Sequence, residues 1–310
     1  MKQIEMCALG DFAWDVLIRT NASLLQGGDT FGEVILTPGG SAANVAVWTS
    51  RCGLLTHFVG KIGRDRFGEL ARQNLQSEGV VHHLVEDGNH STGSVAVFVD
   101  HTGERSMVSG HGADFFLLPS ELPREILQNT KHLHLTAWSF FVDPPRAAAR
   151  EAAHIVQKAG GTLSFDPGSF QMIEEIGVDH FLDATSDLGI DLLLPNKEEG
   201  TALTGSIDPP EIAARLARLY PGAQIILKLD AEGALVLLDG EPHLIPPASN
   251  NLVDATGAGD SFAGAFLARY LKGLSAIEAA QFGCAVAAWV IEHLGARPAP
   301  DMRLEKLLSR

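Results

Sequence analysis

Lys131-His132-Leu133-His134-Leu135-Thr136, Thr162-Leu163-Ser164-Phe165-Asp166, Ile190-Asp191-Leu192-Leu193-Leu194 and Gln224-Ile225-Ile226-Leu227-Lys228-Leu229 are four short apolar runs spaced along the middle of the chain. Runs of this length, bounded by turn residues, read as buried strands. The stretches 119–129, 145–159 and 209–219 precede three of them with apolar residues at helical spacing, and another helix opens near Lys197. This alternation predicts an α/β fold: a doubly wound, mostly parallel sheet with helices on both faces.

Upstream, Ile4 to Leu9 reads as a buried strand ending at Gly10. The small apolar residues 42–52 form a tightly packed helix, 56–60 a strand and 65–77 an amphipathic helix opened by Asp65. Downstream come a hairpin over 233–238 and 242–246 and helices over 257–272, 275–294 and 301–308. Two stretches break the rhythm. Residues 16–20 and 33–37 alternate apolar and polar, and 93–99 and 104–108 form a hairpin around His101-Thr102-Gly103. Alternation marks half-exposed antiparallel strands, so the discontinuous stretches 16–37 and 92–110 are expected to associate as a small β-sheet lid. Arg105, just past that hairpin turn, reads as solvated surface. There is no repeat and no Pro/Ser linker, so residues 1–310 read as a single domain.

Composition narrows the function. Lys and Arg number 23 against 38 Asp and Glu, a net charge of −15. Such a chain is a poor general partner for nucleic acid or an anionic membrane, though one pocket can still hold phosphate. Cys7, Cys52 and Cys284 sit in apolar stretches with no metal or redox spacing, which fits buried thiols in a reducing cytosol. The N-terminus has no long apolar region, and no run is long enough to span a bilayer. A cytoplasmic protein is expected.

The strongest chemical signal is Asp254-Ala255-Thr256-Gly257-Ala258-Gly259-Asp260-Ser261-Phe262, directly before a long helix. Two glycines around an alanine leave the N–H groups of Gly257, Ala258 and Gly259 able to converge on one anion, aided by the helix dipole. Asp260, in the first turn, is either a helix cap or a catalytic carboxylate. The neighbouring glycines favour catalysis, because a cap does not need them. The Walker pattern is absent and the dinucleotide fingerprint fails at Phe262, which disfavours a P-loop enzyme and a dehydrogenase.

Three further elements follow. In Thr37-Pro38-Gly39-Gly40-Ser41-Ala42-Ala43-Asn44, two glycines open a helix of small residues, and Asn44 supplies a donor and an acceptor. In Gly10-Asp11-Phe12-Ala13-Trp14-Asp15, just past the first strand, Asp15 can accept from sugar hydroxyls, with Asp11 as its rival or a turn residue. In Pro195-Asn196-Lys197-Glu198-Glu199, Asn196 and Glu199 share a helical face, suited to a hydrated Mg2+ or to capping the helix. His132 and His134 alternate on a strand and lack a third ligand, so they read as packing or surface.

Together these elements resemble the ribokinase (PfkB) family of sugar kinases over nearly the whole chain. Asp254–Phe262 with Gly264 is similar to its C-terminal signature, Gly39-Gly40 through Asn44 with Gly53 and Gly63 to its N-terminal signature, and Asn196–Glu199 to its N-x-x-E motif. The resemblance implies an ATP-dependent kinase acting on a small sugar. Asp260 would be the general base, and Gly257, Ala258 and Gly259 the anion hole. Asp15, Gly39, Gly40 and Asn44 would hold the sugar. Asn196 would help bind ATP and Glu199 would organise Mg2+. Lys228 to Gly233, including Asp230, resembles the nucleotide loop, although Asp230 stands where many members carry glycine. It also implies K+ near Asp254, Thr256 and the Gly295 turn, and a homodimer through the lid. Ribokinases proper usually carry Asn where Ala13 stands, Lys where Ser41 stands and Glu after the strand ending in Thr136-Ala137-Trp138. All three are missing, so ribose is not presumed. A nucleoside kinase and a non-catalytic sugar sensor are the alternatives. Trp14 and Trp138 either wall the pocket or pack in the core.

Overall fold

The structure, a computed structural model, describes residues 3–99, 105–249 and 251–309. The predicted turn His101-Thr102-Gly103 and the side chain of Arg105 lie outside the described residues. In chain order the strands and helices are β1 (Met6–Leu9), β2 (Ala13–Thr20), β3 (Gly32–Gly39), α1 (Ser41–Arg51), β4 (Thr56–Gly63), α2 (Arg66–Ser77), β5 (Val81–Asp87), β6 (Gly93–Val99), β7 (Arg105–Ser109) and α3 (Arg124–Gln128). They continue as β8 (His132–Thr136), α4 (Pro145–Lys158), β9 (Thr162–Asp166), α5 (Phe170–Ile176), α6 (Val178–Thr185), β10 (Leu192–Leu193), α7 (Lys197–Thr204) and α8 (Pro209–Leu219). The last are β11 (Gln224–Lys228), β12 (Ala234–Leu238), β13 (Glu241–Ile245), α9 (Ala258–Tyr270), α10 (Ala276–Val290) and α11 (Met302–Leu308).

Nine strands form one sheet in the order β13-β12-β11-β10-β9-β8-β1-β4-β5. From β5 to β11 every neighbour runs parallel, and only β12 and β13 turn back as an antiparallel edge. Side chains alternate across β1. Met6 and Ala8 enter a core shared with α1, α2, α9 and α10, while Cys7 and Leu9 enter another shared with α4, α6 and α8. Two apolar cores on opposite faces are what a doubly wound sheet requires. No helix among the described residues is long and apolar enough to cross a membrane.

A second sheet, β3-β2-β6-β7, stands apart from the first. It is mixed rather than wholly antiparallel, because β2 and β6 run parallel, with Ala13 opposite Gly93 and Asp15 opposite Val95.

Some elements differ from expectation. The helix expected over 119–129 splits into a 3-10 turn, Pro119–Glu121, and the short α3, because Pro123 lacks the N–H a continuous helix needs. The strand expected over 190–194 narrows to β10, and α10 ends at Val290. Strand β5 and helices α5 and α6 were not foreseen. Gly177, at φ 89, separates α5 from α6. The small-residue packing of α1 is clear at Gly264 on α9, where a Cβ would lie 2.6 Å from Trp48 Cβ.

Candidate active site

Five parallel strands, β1, β8, β9, β10 and β11, end on one rim, where ligands of open α/β sheets collect. Asp11 follows β1, Asp166 closes β9, Asn196 follows β10 and Lys228 closes β11. Helix α9 begins against the same rim. Its N-cap is Gly257, at φ 73, where a Cβ would lie 2.5 Å from Ala296 Cβ. Only glycine fits both restrictions. The Ala258 N–H closes on the Ala255 carbonyl at 3.2 Å, while those of Gly257 and Gly259 belong to the open end of the helix. The expectation of three free N–H groups is therefore corrected at Ala258, which a local turn engages.

Asp260 does not cap α9, which has no side-chain cap. Its Oδ2 accepts instead from Asn44 Nδ2 at 2.7 Å. Burial pushes the Asp260 carboxyl up to about 7, against the opposing pull of the Asn44 bond. Asn44 Oδ1 accepts from Arg297 Nε at 2.6 Å, and the same guanidinium donates to Asn74 Oδ1 and the Gly39 carbonyl, each at 2.8 Å. These bonds use one N–H and one lone pair of the Asn44 amide, which holds Asp260 and also lines the cavity described below. Arg297 was missed by sequence reasoning. It sits beyond α10 in no motif, and its partners are far away in the chain.

Asp11 and Asp15 divide their roles. Asp11 accepts from the N–H groups of Ser41 at 2.7 Å and Ala42 at 3.2 Å, and so serves as a remote cap for α1. Asp15 projects from β2 against Gly39, where a Cβ would lie 2.5 Å from its Oδ2. Burial holds the Asp15 carboxyl up at about 6 despite the charge of Arg297. Gly40, at φ 89, turns the chain past Asp11 into α1.

Asp11, Asp15, Gly40, Asn44, Thr256, Gly257 and Asp260 line one cavity of about 360 Å3, closed by Val95, Val97 and Met107 of the small sheet and by Trp138. Trp138 is therefore a wall. Trp14 packs in the core, with its Nε1 donating to the Phe67 carbonyl at 3.0 Å and its ring against Phe12. A second cavity, about 470 Å3, is lined by Asn196, Lys228, Asp230, Gly233, Ala258 and Gly259. Ala255 borders both cavities, so the start of α9 stands between them.

In the second cavity Lys228 Nζ donates to Asp166 Oδ2 at 2.6 Å, and a Cβ on Gly259 would lie 3.3 Å from that ammonium. Burial opposes the Lys228 charge, but Asp166 and Glu199 outweigh it and raise its pKa. Asn196 and Glu199 form a reciprocal cap on α7, with bonds of 2.7 and 2.8 Å. Burial and the nearby Asp166 push the Glu199 carboxyl well up. Asp230 adopts φ 48, the left-handed backbone that favours glycine, which accounts for its standing at a glycine position. Asp254 ties the loop before α9 to the following turn: Oδ1 accepts from the Thr256 N–H at 2.8 Å and Oδ2 from the Gly295 N–H at 2.9 Å. His132 and His134 bond Thr162 and Ser164 inside the sheet, a packing role. Among the described residues no group of three or more His, Cys, Asp or Glu could hold a metal.

Two cavities meet at a helix N-terminus beside a buried carboxyl, and the class to which such a chain belongs is that of phosphotransferases acting on an alcohol group. The chain belongs to the pfkB family of carbohydrate kinases, whose profile matches residues 4–302. It is 34% identical over 278 residues to a fructokinase from Escherichia coli, covering 87% of this chain and 84% of that one. Arabidopsis thaliana ribokinase, solved with ribose and ATP, matches with a TM-score of 0.82 and 27% identity over 100% of both chains. Adenosine kinase from Sinorhizobium meliloti shares the fold, with a TM-score of 0.87 and 24% identity over 100% of both chains.

Proposed function

We propose that this sugar kinase moves the γ-phosphoryl group of ATP to a hydroxyl of a small sugar, in the manner of a fructokinase or ribokinase, with Asp260 as the general base. The observation that carries the reading is the Asp260 carboxyl, held by Asn44 on the wall of the first cavity in the first turn of α9, with a pKa near neutrality. A base so tuned is ionised in a useful fraction at neutral pH and still takes a proton.

The acceptor sugar occupies the first cavity, where Asp15 accepts from its hydroxyls and Gly39 and Gly40 let the backbone come close. ATP occupies the second, along Asn196, Lys228, Asp230 and Gly233. As Asp260 takes the hydroxyl proton, the sugar oxygen bonds to the γ-phosphorus and the bond to the ADP oxygen breaks. The N–H groups of Gly257, Ala258 and Gly259 meet the charge on the transferred group, Ala258 releasing the Ala255 carbonyl to do so. The oxygens of Asp166 and Glu199 make a donor set that fits a hydrated Mg2+, whose charge would favour the ionised form of Glu199. Asp166 and Glu199 would hold that ion, which neutralises phosphate charge when bound. K+, as the resemblance implies, would take backbone oxygens of the Asp254–Thr256 loop and the Gly295 turn, beside the buried Asp254 charge.

The small sheet acts as a lid over the sugar and excludes water from the reaction. Its outer residues Phe31, Val34 and Val108 are 88%, 68% and 63% exposed, and a homodimer formed through the lid covers them. The apolar wall of Val95, Val97, Met107 and Trp138 supports a second reading, a nucleoside kinase whose base lies against that wall.

The test is ATP consumption with Mg2+ and K+ across pentoses, hexoses, sugar acids and nucleosides, with Asp260→Asn alongside. Turnover of one compound, lost in the variant, supports the reading. Sugar binding without any turnover makes the protein a sensor instead, and equal activity in the variant removes Asp260 as the base.

A further inference from the structure

No sequence motif points to Asp114. It lies in the 3-10 turn Ala113–Phe116, just beyond the last strand of the small sheet, and it lines the acceptor cavity. Its Oδ1 is buried and has no hydrogen-bond partner. Native proteins seldom leave a buried oxygen unpaired, and on a residue that lines a cavity such an atom asks for a ligand.

The surrounding backbone makes room for this oxygen. Gly93, which opens β6, and Gly112 pass close together, and a Cβ on either would lie 2.8 Å from Asp114 Oδ1. Two other acids of the cavity differ. Asp11 is engaged by Ser41 and Ala42, and Asp260 by Asn44. Burial, reinforced by the Asp11 charge, holds the Asp114 carboxyl up at about 8. At neutral pH it is therefore mostly protonated and can donate as well as accept.

We propose that Asp114 is a specificity-determining residue that hydrogen-bonds a hydroxyl of the acceptor other than the one phosphorylated, and so selects acceptors carrying a hydroxyl at that place. This rests on the sugar-kinase reading of the same cavity and adds a contact outside its motifs. A site built to pair a hydroxyl rejects the analogue that lacks it far more strongly than an apolar pocket rejects a missing methylene.

D-fructose, D-ribose and adenosine are titrated by calorimetry into the native protein without nucleotide. The tightest binder is then compared with its monodeoxy analogues in native, Asp114→Asn and Asp114→Ala proteins. The native protein is expected to bind one monodeoxy analogue at least about 10²-fold more weakly than the parent. Asp114→Ala should weaken the parent by a similar factor and leave that one analogue unchanged, while Asp114→Asn, which keeps a donor and an acceptor, retains most of the parent affinity. If the alanine variant does not fold, Asp114→Ser is read in its place. Equal weakening of every analogue, or native affinity for all, overturns the assignment of Asp114 while the native protein still turns a sugar over. If the native protein binds none of the three, the compound it phosphorylates in the wider panel takes their place, and phosphorylation of no compound in that panel removes the kinase reading and this assignment with it.

Discussion

Asn44 Nδ2 donates to Asp260 Oδ2 at 2.7 Å, joining the first turn of α1 to the first turn of α9 across 216 residues. The pair sets both the aim and the acidity of the carboxylate. The bond favours the ionised form, while burial favours the protonated one.

Because a base must be ionised to act, kcat/KM should rise with pH through about 7, where Asp260 titrates. Asn44→Ala removes the contribution that lowers this pKa. Its acidic limb should therefore move to higher pH, as measured by initial rates on the substrate the panel identifies. Superimposable profiles for the two proteins would refute the coupling.

Asp260→Asn should lower kcat by roughly 10² to 10⁴-fold and yet stabilise the protein. The native-state pKa of about 7 lies above the ordinary 3.8, so the folded chain holds this proton more tightly than the unfolded chain. The associated stability is complete below about 3.8 and is lost as pH rises through about 7. Melting temperatures across that range should show the variant gaining on the native protein as pH increases, a gap that a solvent-exposed carboxylate would not produce.

Lys228→Met leaves Asp166 and Glu199 facing each other in the interior without their cation. Stripping one partner from a buried ion pair costs about 3–5 kcal/mol. Adding Asp166→Asn should restore a good part of that loss, which urea unfolding of the single and double variants will measure. No recovery in the double variant would mean that Lys228 stabilises chiefly through its packing.

Arg297 serves three acceptors, the buried Asn44 Oδ1 and Gly39 carbonyl and the half-buried Asn74 Oδ1. Arg297→Met should cost at least about 2 kcal/mol through the acceptors it abandons. Arg297→Lys keeps the charge without the planar fork, so it should recover stability only in part and leave kcat reduced. Full kcat in the lysine variant would show that Asn44 does not depend on the guanidinium geometry.

Two glycines with similar backbones separate strain from collision. Gly257 and Gly240 have φ of 73 and 84, but a Cβ at Gly257 would strike Ala296 at 2.5 Å while Gly240 faces open space. Gly240→Ala should cost about 1–2 kcal/mol for its left-handed backbone alone. Gly257→Ala should cost more and abolish turnover, which denaturation and rate measurements on both variants will compare.

The legible parts of this fold are those written locally. Thr162–Asp166 and Gln224–Lys228 are apolar runs bounded by turns, and their strands fall where the pattern puts them. The glycine turn that opens α9 was legible for the same reason, since Gly257, Ala258 and Gly259 are consecutive. Strand β5 was missed because His82, His83, Glu86 and Asp87 blur its pattern at the sheet edge. The break at Pro123 was readable in principle and outweighed by the apolar residues around it. Arg297 and Asp114 carry no local signal. One is defined by acceptors on β3, α1 and α2, the other by the crossing of Gly93 with Gly112, and both arise only when distant segments meet.

Asp15 stands on β2, a strand of the small sheet, whereas Asp260 begins α9 against the large one. A molecule long enough to touch both carboxyls stitches the two sheets together. On the proposed reading the acceptor would then be its own latch, its arrival supplying the crosspiece of the chamber in which it reacts.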